Sequence, residues 1–127
     1  MNGVVREWVE KAEADYGMAQ RELSAPERPN FDGICFHAQQ CIEKLMKDLL
    51  IHVGVLPLRT HNLVSLYERL VPTCPGLTCS TDELKFLTHG AGALRYPGAT
   101  AEREDAVEAM RICERLRQEL LKRLGSG

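Results

Sequence analysis

His37, Gln40 and Lys44 stand at i, i+3 and i+7, which puts them on one side of any helix that contains them. Together they offer a switchable donor, an amide and a fixed cation, a set suited to an anionic ligand such as a phosphate. The competing reading is a solvated strip in which Lys44 pairs with Asp48 at i+4. A second set, Arg95 and Tyr96, stands directly before Pro97-Gly98. A guanidinium there can grip a phosphate through two parallel hydrogen bonds while the neighbouring ring stacks on a base. Alternatively, Arg95 makes a structural ion pair, with Glu43 as the candidate partner, and Tyr96 packs on the fold. His61, beside Asn62, suits a cap or packing role as well as a binding one, and His52 and His89 read as structural.

Several kinds of chemistry have no foothold. There is no glycine-rich phosphate loop, no HExxH pair and no paired-aspartate motif of a nucleotidyltransferase active site. Ser65, Ser80 and Cys35 lack a recognisable base and orienting group for nucleophilic catalysis. The five cysteines (Cys35, Cys41, Cys74, Cys79 and Cys113) show no CxxC spacing and read as buried thiols in a reducing compartment. Cys74 and Cys79 leave a disulfide or half a metal site open, although no matching second ligand pair is visible. No metal and no cofactor is expected.

The element that must position the first set runs from Asn30 to Val53. Phe31, Ile34, Ala38, Cys41, Ile42, Leu45, Leu49 and Val53 share one face at helical spacing, and Phe36, Met46 and Leu50 widen it. The polar strip is narrow: His37, Gln40, Lys44 and Asp48. A helix apolar over most of its circumference must be surrounded, either at the centre of a bundle or against a second subunit. Gln39 and Glu43 interrupt the apolar arc and need partners if buried.

The remaining chain supplies the surrounding helices. Val5, Trp8, Ala12, Tyr16, Ala19 and Leu23 form the stripe of a first helix over Val4–Leu23, with Asp15 beside it; Pro26 and Pro29 end it. Asn30 is the expected N-cap of the central helix, and Gly54 its C-terminal stop. Thr60 or Asn62 caps a short helix that turns Leu63, Leu66, Tyr67 and Leu70 inward, and Pro72 closes it. After the Pro72–Cys79 loop, Ser80 and Glu83 make a capping box for a helix carrying Leu84, Leu87, Ala91 and Leu94. Arg95-Tyr96-Pro97-Gly98 ends that helix. Thr100 is the expected cap of the last helix, whose stripe is Ala106, Met110, Cys113, Leu116, Leu120 and Leu124. No segment has strand periodicity. The expected fold is therefore all-α, an up-and-down bundle of four main helices plus one short helix.

The 127 residues suit one domain, 1–127, with its core at about 4–124. A net charge of −2 argues against extensive coating of nucleic acid, which phosphate neutralisation drives, but leaves room for a small local basic site. No apolar run reaches the roughly 20 residues a membrane span requires, and MNGVVREWVEKAE lacks a signal-peptide core. A cytoplasmic location without membrane attachment is the expectation.

FHAQQCIEKLMKDLL, preceded by a Trp/Ala/Asp-rich first helix and followed by THNL and then LRYPG, resembles the HEPN domain over roughly Val4 to Leu124. The resemblance implies a small all-α domain often encoded beside a minimal nucleotidyltransferase. Family members that act as ribonucleases carry an arginine and, after four to six intervening residues, a histidine. Arg95 is the residue that could match the arginine, but Thr100, Ala101 and Glu102 stand where the histidine should be. The leading expectation is thus a non-catalytic module. It would bind nucleotide or RNA phosphate, form a homodimer and partner a nucleotidyltransferase in a toxin–antitoxin-like system. The homodimer draws further support from the wide apolar arc of the central helix. One alternative is a metal-independent ribonuclease that uses Arg95 with a displaced His37 or His61. The other is an interaction scaffold without a ligand.

Overall fold

The protein is described by a computed structural model over residues 2–93 and 100–125. Five helices are present among these residues: α1 (Gly3–Leu23), α2 (Phe31–His52), α3 (Leu63–Leu70), α4 (Thr81–Ala93) and α5 (Arg103–Arg123). This is the expected all-α bundle, with α3 as the short helix. Helix α2 packs against all four others and supplies the largest share of the buried core, including Ile34, Ile42, Leu45, Met46, Leu49 and Leu50. Most of its wide apolar arc is covered by the chain's own helices, while Phe31, Phe36 and Val53 are half-buried. A second subunit is not needed to bury the greater part of it, so the homodimer expectation loses most of that support. Among the described residues no helix is long and apolar enough to cross a membrane.

Local sequence explains the helix ends. The Asn2 side chain accepts the Val5 N–H at 2.8 Å, starting α1 one residue earlier than the apolar stripe suggests. Asn30 accepts the Gly33 N–H at 2.9 Å and caps α2 as expected. At the other end of α2, Val55 N–H reaches the Leu50 carbonyl at 2.8 Å and Gly54 N–H the Ile51 carbonyl at 3.1 Å. This double closure requires a left-handed residue, and Gly54 has φ +79°. Of the two caps expected for α3, Asn62 is the one used, through the Val64 N–H.

The structure corrects two other helix starts. The cap of α5 is Glu102 rather than Thr100, and Glu102 exchanges capping hydrogen bonds with Asp105. At α4 only half of the expected capping box forms. Ser80 Oγ accepts the Glu83 N–H at 3.4 Å, but the Glu83 carboxylate is taken by Arg111 and Arg115 of α5. That exchange joins two helices instead of closing one turn. A further clamp joins α1 to α5: Arg117 donates twice to Glu13, at 2.8 and 2.7 Å, and lies 4.2 Å from the Tyr16 ring centroid. All five cysteines are free and buried, so Cys74 and Cys79 form no disulfide.

Candidate functional site

Two acidic side chains organise the polar side of α2. Asp15 of α1 is buried, and His37 Nδ1 lies 2.8 Å from one of its oxygens while Lys44 Nζ donates to the other at 2.5 Å. Glu43 of α2 is buried as well. Lys47 Nζ donates to it at 3.0 Å, and His61 Nδ1, in the segment before α3, lies 3.0 Å away. Each buried carboxylate therefore holds one imidazole and one ammonium.

The two amides complete the second cluster. Gln39 Nε2 donates to Glu43 at 2.9 Å and to the His61 carbonyl at 3.1 Å, and Gln40 Nε2 donates to Gln39 Oε1 at 2.8 Å. The expectation that Gln39 and Glu43 need partners when buried is met, because they satisfy each other and anchor the loop at His61. Burial opposes ionisation of Glu43, but the hydrogen bonds from Gln39, Lys47 and His61 outweigh it and hold the carboxyl below its usual range.

The pairing of Lys44 with Asp48 expected at i+4 does not occur. Lys44 turns to α1 because Asp15 offers a carboxylate there at 2.5 Å. Asp48, one turn along α2, is fully buried, and neither of its carboxylate oxygens has a partner among the described residues. Burial pushes its carboxyl up to about 7. Asp48 is consequently no part of a solvated strip.

The accessible strip of α2 consists of Phe36, His37, Gln40, Lys44 and Lys47, all half-buried, with exposed His61 alongside. His37 also stands edge-on to the Phe36 ring, with centroids 5.3 Å apart. With Nδ1 of both imidazoles engaged by carboxylates, Nε2 is the nitrogen left to meet a ligand; among the described residues nothing bonds it. His61 is the more open of the two, its side chain 69% exposed against 26% for His37. Asp15 and Glu43 offset Lys44 and Lys47, so each proton taken up by an imidazole adds net positive charge to the strip. Such an arrangement can hold an anion through ammonium and imidazolium donors, and it can orient an imidazole for proton transfer.

Of the residues proposed from sequence, the structure brings together His37, Gln40, Lys44, Glu43 and His61. Arg95 and Tyr96 lie outside the described residues, and so does Leu94 of the expected α4 stripe. His52, read as structural from the sequence, is exposed at the end of α2. Sequence reasoning missed two participants. Lys47 follows Glu43 at i+4, a spacing that could have revealed it. Asp15 is 22 residues from His37, and no local rule links them.

Among the described residues no group of three or more His, Cys, Asp or Glu side chains could hold a metal ion. Burial raises Cys35 and Cys79 to about 11, which keeps both as thiols.

A family model described as the HEPN domain matches residues 5–124. Two solved structures are similar over almost the whole chain. TT1696 from Thermus thermophilus superposes with a TM-score of 0.78 at 21% identity, covering 97% of this chain and 99% of that one. ST0689, an archaeal HEPN homologue, gives a TM-score of 0.69 at 24% identity, with coverages of 98% and 99%. At these identities the likeness speaks for the fold. No curated protein sequence matches the chain significantly.

Proposed function

The chain belongs to the HEPN domain family, and from that premise we propose that it is a non-catalytic module binding the phosphates of a nucleotide or RNA through the strip on α2. The observation that carries this reading is the duplicated arrangement at Asp15 and Glu43, where each buried carboxylate fixes a lysine and an imidazole at the protein surface. Lys44 and Lys47 supply charge, Gln40 an amide, and the Nε2 atoms of His37 and His61 supply donors in the imidazolium form. Arg95 and Tyr96 remain the proposed phosphate grip and base-stacking ring. In this reading the protein is a homodimer and the partner of a separately encoded minimal nucleotidyltransferase; both rest on the family resemblance.

One observation favours a second reading. His61 is tethered by Glu43 through Nδ1 and widely exposed, the geometry of an oriented general base or acid. It could serve as the displaced histidine of a metal-independent ribonuclease, with Arg95 holding the phosphate.

The test pairs cleavage of a mixed RNA without added metal with titration of the same RNA into the protein. Binding without cleavage, weakened by Lys44→Ala and Lys47→Ala, is the expected result. Cleavage that disappears in Arg95→Ala and His61→Ala would replace the binding reading by the ribonuclease. Absence of both would leave an interaction scaffold without a ligand.

A further inference from the structure

On the other side of α2 from the strip, a cavity of about 240 Å³ opens between α2, α4 and the start of α5. Buried Cys35, Leu87 and Ala109 line its inner part, and the half-buried ring of Phe86 continues the apolar surface outward. Its polar side chains are His89 and Thr100, which are exposed, and Asp105, which is half-buried. One Asp105 oxygen accepts the Glu102 N–H at 2.9 Å; among the described residues no donor reaches the other.

The size restricts the occupant. Pockets for whole small molecules typically measure about 300–1,000 Å³, so this one suits a single ring system with the rest of the ligand outside. The composition restricts it further. An aromatic side chain beside small apolar residues favours a flat ring. A carboxylate only accepts hydrogen bonds, so the ring must present donors; an imidazole can give one to an adjacent carbonyl. Guanine presents both along one edge, with ring and exocyclic N–H groups beside O6. Adenine has an amine there but no neighbouring ring N–H.

We propose that the cavity lined by Cys35, Phe86, Leu87, His89, Asp105 and Ala109 is a base-binding site selective for guanine. The inference rests on the nucleotide-binding reading above and adds a base site separate from the strip: α2 stands between the two, so the base held here and a phosphate held by Lys44 and Lys47 belong to different nucleotides. Asp105 accepts from the ring and exocyclic N–H groups, His89 donates to O6, and Phe86 covers the ring. Cys35 remains a thiol, since burial and the nearby Asp105 and Asp32 carboxylates all disfavour its charged form. The site therefore binds without covalent capture.

Resonance shifts on titrating the wild-type protein with GMP, AMP and an oligouridine test this directly. GMP is expected to shift Phe86, His89 and Ala109 and to bind about tenfold more tightly than AMP. Ala109→Leu, which fills the cavity, should weaken GMP by a similar factor while oligouridine still shifts the α2 strip. Asp105→Asn should abolish the preference for GMP, because the amide keeps a capping oxygen but loses the second acceptor. GMP shifts confined to Lys44, Lys47 and His61 would overturn the cavity site and leave phosphate binding standing. Equal affinity for GMP and AMP would overturn the guanine assignment. No shifts from any of the three ligands would overturn both.

Discussion

Lys44 donates to Asp15 across the α1–α2 interface at 2.5 Å, ignoring the carboxylate one turn along its own helix. The contact draws His37 to the other Asp15 oxygen and fixes two candidate ligand groups at once. Asp15→Asn separates its two consequences. Removing one partner from a mostly buried pair costs about 2–3 kcal/mol of stability, yet it also adds one net positive charge to the strip. Urea unfolding should show the loss, while RNA titration at low salt should show tighter binding. Weaker binding in a folded variant would mean that Asp15 positions Lys44 and His37 more than it neutralises them.

Glu43 does for the loop what Asp15 does for α1. Glu43→Gln removes the charge that holds Lys47 and His61, and it leaves the buried Gln39 amide facing another amide. The expected cost is about 1–3 kcal/mol, with hydrogen exchange speeding up around His61 and Asn62. Glu43 is held below its usual range, so its contribution is present above the unfolded-state value near 4.5 and is lost as pH falls through the lower folded-state value.

Asp48 imposes the opposite pH dependence. Its folded-state value of about 7 exceeds the ordinary 3.8, so between them the folded state holds a proton that the unfolded state releases. Stability therefore falls as pH rises from about 4 to 7 and levels off above. At about 1.4 kcal/mol per unit, the loss is up to about 4 kcal/mol. Asp48→Asn should flatten this slope and raise the melting temperature at pH 8; an unchanged pH profile would show that the carboxyl has found a partner in solution.

Gly54 closes α2 with φ +79°, and no neighbour lies within 4 Å of where a Cβ would stand. The cost of Gly54→Ala is then purely conformational, about 1 kcal/mol. A denaturant midpoint equal to that of the wild type would show that the helix end can refold into another closure.

The helices and their order were legible in the sequence because they depend on local rules. The apolar period of α2, Asn30 and Asn62 as caps, and Gly54 as a stop act within a few residues and survive into the structure. The site was legible only in part. Spacing placed His37, Gln40 and Lys44 together, since a helix fixes which side chains share a side. It could not say which carboxylate neutralises Lys44. Asp48 at i+4 and Asp15 on another helix are equally acceptable to the sequence, and only the packing of the helices buries the first and presents the second. His61 meets Glu43, and the Glu83 carboxylate leaves its own cap for Arg111 and Arg115, for the same reason. Long-range pairing of charges is set by where helices dock, and docking is decided by the whole core at once.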